Sequence, residues 1–126
     1  MHNTCSPGKR AERKGYVGIK STKNGGVDFR GTDYVYKRIK GGETIVDIEM
    51  SGSRRGDVAR AFDAANISPY MRKYIQMNYT WHHLDNFDPL TNRCTMQLVL
   101  NEAHVATYPH IGAVAQYEKY YGVIYN

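Results

Sequence analysis

Cysteine is nearly missing from this chain of 126 residues. The only two, Cys5 and Cys94, lie 89 positions apart. That excludes a disulfide scaffold or a CxxC pair and leaves free thiols as the simplest reading, with a single bridge still open. No apolar run reaches 18 residues, which excludes a membrane-spanning helix. Met1 to Lys14 is polar and basic without an apolar stretch, which is not the pattern of a conventional signal peptide. There is no internal repeat and no long low-complexity tract. What remains is the length of one domain, with 41% hydrophobic residues. A chain of this size hides roughly two-thirds of its unfolded surface, so disorder throughout is excluded.

Acidic residues are scarce at the start. Residues 1–40 hold ten Lys/Arg against three acids, residues 41–80 hold five of each, and residues 81–126 hold two basic and four acidic residues. The net charge is +5 and the isoelectric point about 9.2. A basic first third ahead of a histidine-rich last third fits a polyanion held beside a reactive site. The competing reading is a solvated basic tail.

Residues 1–15 carry few large apolar side chains and read as a flexible lead-in or linker. Short extended pieces are expected at 16–19 and 27–29, separated by an Asn-Gly turn at 21–26. Tyr34-Val35-Tyr36 is β-prone. The clearest early strand is 44–50, with Val46, Ile48 and Met50 on one face and Asp47 and Glu49 on the other. A loop at 51–56 precedes a helix over 57–65, which places Val58, Ala61, Phe62 and Ala65 together and ends near Asn66. Ser68-Pro69 opens a second helix running to Gln76. A strand at 78–83, a polar loop at 84–94, a strand at 96–100, a helix from Asn101 interrupted by Pro109, and a helix over 112–121 complete an α+β chain.

Four of the five histidines, His82, His83, His104 and His110, fall in the last third. Neighbours on a strand point to opposite faces, so His82 and His83 do not easily share one ion. They suit a division of labour, one binding a metal and the other acting as a base, as a hydrolase that activates water requires. The helix after the second strand can bring His104 back towards His82. His110 would not share a helical face with His104, but Pro109 ends the helix first and lets His110 return as a third ligand. Each histidine has a bland alternative as a core or surface residue. Trp81 reads as a core anchor. Cys94, without a cysteine near it, does not make a Cys-rich structural zinc site.

Trp81-His82-His83, Met96-Gln97-Leu98-Val99, His104 and His110-x-Gly112 together resemble the WHH family of the HNH/endonuclease VII nuclease superfamily. Tyr79-Thr80, Ser51-Gly52-Ser53-Arg54, Asp57 and Ala65-Asn66 also fit, and the resemblance covers about residues 27–122. It implies a ββα-metal (His-Me finger) core over about residues 77–121. N-terminal strands and flanking helices would surround it within a single nuclease domain spanning 16–126. It also implies site roles. His82 and His104 resemble metal ligands, His110 a third ligand or phosphate contact, and His83 the general base. Related nuclease colicins carry an Asn nine residues before the helix histidine to orient the base, where this chain has Thr95. The orientation of His83 is therefore expected to rest on Thr95, Gln97 or a backbone carbonyl. Their helix pair is H-x3-H, whereas here it is H-x5-H.

The chemistry so implied is phosphodiester hydrolysis with one divalent ion (Mg, Mn, Zn or Ni), leaving 3′-hydroxyl and 5′-phosphate ends. Arg93 in the hairpin loop is the first choice for a phosphate contact, ahead of Arg54 and Arg55. Asp85 reads first as a turn residue and second as a holder of an imidazole tautomer. Glu102 is explained by the helix dipole. Tyr70, Tyr74 and Tyr79 are candidates for stacking on bases. Family members are typically C-terminal toxin domains of interbacterial effectors, delivered to act in the target-cell cytoplasm and countered by an immunity protein, here expected to be acidic. DNA is preferred over RNA as partner, no membrane insertion is expected, and the chain reads as an excised terminal domain. The alternatives are an RNase of the same fold, a non-catalytic nucleic-acid-binding module with a structural metal, and a degenerate toxin that keeps only its immunity-binding surface.

Overall fold

The computed structural model describes residues 6–126. His2, for which the sequence suggests no role, and Cys5 lie outside the described residues. The elements run α1 (Pro7–Arg13), β1 (Lys20–Ser21), β2 (Val27–Asp28), β3 (Ile45–Glu49), α2 (Arg54–Ala64), α3 (Pro69–Ile75), β4 (Tyr79–His83), β5 (Arg93–Leu100), α4 (Asn101–Ala106) and α5 (Ala113–Tyr121). The chain is α+β.

β5 is the central strand of an antiparallel sheet ordered β3-β5-β4. Residues 94–99 are all buried, because both faces are covered. Cys94, Met96 and Leu98 join Ile48, Met50 and Trp81 under Phe62 of α2 and Ala113 of α5. Val99, on the other face, packs with Ala11, Val27, Phe29, Ala103 and Ala106. Strand period two dictates this sorting. It leaves Thr95 and Gln97 as buried polar side chains that need partners. Gln97 finds them in the β1-β2 hairpin, donating to Asp28 Oδ1 at 2.7 Å and accepting from Phe29 N–H at 3.0 Å. The hairpin is thereby tied to the middle of the sheet.

The register sets the site. His82 pairs with Gln97 and His83 with Met96, so the two imidazoles emerge on opposite faces of the edge strand β4. α2 starts three residues earlier than its apolar spacing suggests, because the Ser53 hydroxyl accepts from Gly56 N–H at 3.0 Å and caps the first turn. Its end falls as expected, with Asn66 at φ 57°. α3 follows Ser68-Pro69 as the sequence implies. Tyr34 and Tyr36 bond to Leu100 and Leu98 of β5 without forming a named strand, and the extended piece expected at 16–19 is displaced to Lys20–Ser21.

One expectation needs correction. The described part of the lead-in is not flexible chain. Residues 7–13 form α1, whose Pro7, Gly8 and Ala11 are buried. Few large apolar residues are needed here, since a helix that packs through glycine and alanine buries little side chain.

Candidate metal centre

His82, on the Gln97 face of β4, is 1% exposed. Its Nε2 bonds to the Val27 carbonyl at 2.8 Å, so in the neutral ring the proton sits on Nε2 and Nδ1 keeps its lone pair. That Nδ1 lies 3.1 Å from His104 Nε2, whose ring is carried over the sheet by α4. The other His104 nitrogen faces the Tyr108 hydroxyl at 3.3 Å. α4 ends at Ala106, before Pro109, and the chain turns back. Thr107 then does two things. Its hydroxyl donates to the His104 carbonyl at 2.6 Å and accepts from His110 Nδ1–H at 2.7 Å, which leaves His110 Nε2 with a free lone pair. The three ring centroids form a triangle of 5.0 Å sides, and one ligand atom from each ring lies within 4.8 Å of the others.

Burial lowers the pKa of all three. It acts on His82 well below the ordinary value, on His104 down to about 3 with help from the neighbouring His110 and His83, and on His110 with help from Arg10. Neutral imidazoles are what a divalent transition-metal ion needs. Phe29 walls the cluster, 5.1 Å from the His82 ring. The donor set fits a metal. Nitrogens 3.1 Å apart match an edge of a shell with bonds of about 2.0–2.1 Å. Two of the tautomers are fixed by second partners. Three histidines able to act as ligands match the complement of a catalytic rather than a closed structural site.

His83 lies across the strand, in a cleft of about 530 Å³ that also takes in Arg54, Trp81, His104 and His110. Its Nε2 bonds to Asp57 Oδ2 at 2.8 Å. Asp57 is wholly buried and also accepts from the Tyr125 hydroxyl at 2.6 Å and from Ser51 N–H and Oγ–H at 2.8 and 2.9 Å. Burial pushes this carboxyl up, but the bonds from His83, Tyr125 and Ser51 outweigh it and hold the pKa below the ordinary value. Asp57 is therefore a carboxylate. It fixes the His83 proton on Nε2 and leaves Nδ1 as the basic atom. Gly112 sits so close that a Cβ there would lie 2.7 Å from the His83 carbonyl oxygen, which accounts for a glycine two residues after His110.

The histidine set predicted from sequence thus converges, and two other assignments do not. Thr95 does not hold His83. Its hydroxyl donates to Asp47 at 2.8 Å and accepts from Asn86 at 2.8 Å, on the face of the sheet that His83 leaves. Gln97 is engaged with the hairpin, and the orienting group is the Asp57 side chain rather than a backbone carbonyl. Arg93 lies elsewhere too. It donates to the Asp47 carbonyl at 3.0 Å and shares a separate surface cleft with Asn86 and Asp88. Arg54 is the arginine in the histidine cleft, while Arg55 is exposed outside it.

Asp85 is buried and accepts from the Thr22 hydroxyl. Its charge favours protonated His110. Glu102 accepts from the Tyr16 hydroxyl at 3.1 Å. Tyr79 packs edge-on against Tyr36, and Tyr70 and Tyr74 pair with each other on α3. The tyrosine in the cleft is Tyr108. Trp81 is the anchor expected, edge-on to Phe62. Burial pushes the Cys94 thiol up to about 12, which makes it an inert core residue. Asp57 is part of the family resemblance but has no role there, and its spacing gives it none, because an acid in the first turn of a helix is already accounted for by the dipole. Thr107 carried a weak signal, since a threonine three residues before a histidine after a helix end can form a side-chain turn.

Two strands and a helix, with histidines on both faces of the first strand, form a ββα arrangement whose His82, His104 and His110 could hold a metal ion. Residues 72–120 match the family model WHH, a nuclease of the HNH/ENDO VII superfamily with conserved WHH. The matched segment contains Trp81-His82-His83, His104 and His110, whereas Arg10, Arg54 and Asp57 lie upstream of it. The chain therefore carries a nuclease domain, a phosphodiester hydrolase. No curated protein and no solved structure matches the chain.

Proposed function

We propose that this chain is a metal-dependent endonuclease that cuts DNA as the toxic domain of an interbacterial effector, in the cytoplasm of the target cell. The observation that carries the nuclease mechanism is the convergence of His82, His104 and His110 on one side of β4 with His83 on the other, in reach of one cleft. His82 Nδ1, His104 Nε2 and His110 Nε2 would hold one divalent ion, which when bound supplies Lewis-acid stabilisation of charge on the phosphate and the leaving oxygen. His83 Nδ1 takes the proton from the attacking water. Asp57 keeps the opposite nitrogen protonated and the ring in place, and stabilises the imidazolium that results. Arg54, at the cleft, pairs with a phosphate oxygen. The products are 3′-hydroxyl and 5′-phosphate ends.

The effector role, the preference for DNA and an acidic immunity protein are supported by the family resemblance and by the excess of basic residues in the first third of the chain. Plasmid nicking with and without chelator tests the reading. Wild type should convert supercoiled to open-circular DNA only with a divalent ion, and His83→Ala and His104→Ala should each abolish it. Cutting by His83→Ala at the wild-type rate would remove the base. Cutting of RNA in preference to plasmid would make the protein an RNase of the same fold.

A further inference from the structure

α1 carries a contact that reaches the metal centre. Arg10 sits at the flank of the helix, beside the buried Pro7 and Ala11. Its guanidinium donates to the carbonyl oxygens of Thr107 at 3.5 Å, Tyr108 at 3.2 Å and Pro109. Lys14, one turn further on, donates to the Ala106 carbonyl at 3.4 Å. These acceptors are consecutive, and they form the link between His104 and His110. Three carbonyls gathered on one side need a donor with several N–H groups in a plane, which a guanidinium has and an ammonium does not.

The link needs such a hold. α4 ends at Ala106, and within four residues the chain must reverse to bring the His110 ring beside His104. On the far side it is tied by Ile111 N–H to the Gly25 carbonyl at 2.9 Å. On the near side the tie is Arg10, with Lys14 behind it.

We infer that Arg10 is a positioning residue of the metal centre, holding the 107–109 carbonyls so that His110 completes the histidine triangle. α1 is then part of the nuclease site rather than a linker to it. The inference rests on the reading of His82, His104 and His110 as ligands. A purely electrostatic role has the opposite sign. A positive charge whose effect reaches His110 opposes a nearby cation, so its removal alone would tighten metal binding.

Cobalt(II) titration separates these, since its visible absorption reports the number and symmetry of ligands. The proteins to compare are wild type, Arg10→Ala, Arg10→Met (which keeps an aliphatic stem on the helix), His82→Ala, His110→Ala and the Arg10→Ala/His110→Ala double variant. Both Arg10 variants should bind cobalt roughly ten- to a hundredfold more weakly, with absorption resembling that of His110→Ala. In the His110→Ala background the Arg10 effect should vanish. Unchanged or tighter binding by folded Arg10 variants overturns the inference. So does an equal loss with and without His110, or loss of the far-ultraviolet circular dichroism in both Arg10 variants, which would make Arg10 a residue of the fold. Wild type that binds no cobalt, or binding indifferent to His82→Ala, overturns the ligand reading and this inference with it. Binding that needs His82 but not Arg10 overturns this inference alone.

Discussion

Asp57 shows how one buried side chain can define the chemistry of another. Its carboxylate takes four hydrogen bonds, including the one that fixes the His83 tautomer. Asp57→Asn keeps the volume but removes the charge that supports an imidazolium. Single-turnover nicking should slow about a hundredfold, at the low end of what a positioned general base contributes, while metal affinity stays at the wild-type value. The same residue predicts a pH dependence of folding. Its folded pKa lies below the unfolded value, so the native state gains stability above the ordinary carboxyl range, near about 3.9, and loses it as pH falls through the folded pKa. The stability of wild type over Asp57→Asn, measured by urea unfolding, should therefore be larger at pH 7 than at pH 3. At this scale the sequence was informative about the histidines, because their residue type is rare and their spacing unusual. It was uninformative about the roles of Asp57 and Arg10, whose partners lie 26 and up to 99 positions away and leave no local pattern.

The element that supports both halves of the site is β5, which pairs with β4 and runs directly into α4. It braces β4 through the full register from Tyr79 to His83 and is buried on both faces. Its alternation was legible from Met96 onward, but its start at Arg93 was not, because Arg93-Cys94-Thr95 follows a turn-rich loop and lacks an apolar run. Leu98 is wholly buried opposite Trp81. Leu98→Ala should lower the unfolding free energy by about 2–5 kcal/mol, measured by urea denaturation with an unchanged slope. α1 was illegible for a different reason: its buried face is made of Pro7, Gly8 and Ala11, which composition scores as linker. The helix over α2 was legible in its apolar stripe and misplaced at its start, where a capping serine rather than hydrophobic spacing decides.

At the level of the whole molecule, a net charge of +5 is a statement about partners and salt. Binding a nucleic acid releases counterions, so affinity should fall linearly on a log–log plot against salt. Arg54→Ala should weaken binding across sequences and flatten that slope by about one unit. Arg93→Ala, in a separate cleft, should leave the slope close to wild type. Fluorescence anisotropy with a short labelled duplex from low to moderate salt reads both. A flat response in wild type would contradict a phosphate-holding surface.

The central claim is that imidazoles from β4, α4 and the loop after α4 hold one metal ion while the histidine across β4 does not. Isothermal titration with a divalent ion such as zinc or nickel tests it most directly, using wild type, His82→Ala, His104→Ala and His83→Ala. One ion should bind per chain, with affinity collapsing in the first two variants and unchanged in His83→Ala. Loss of binding in His83→Ala to the same extent, or equal binding by all four proteins, would contradict it.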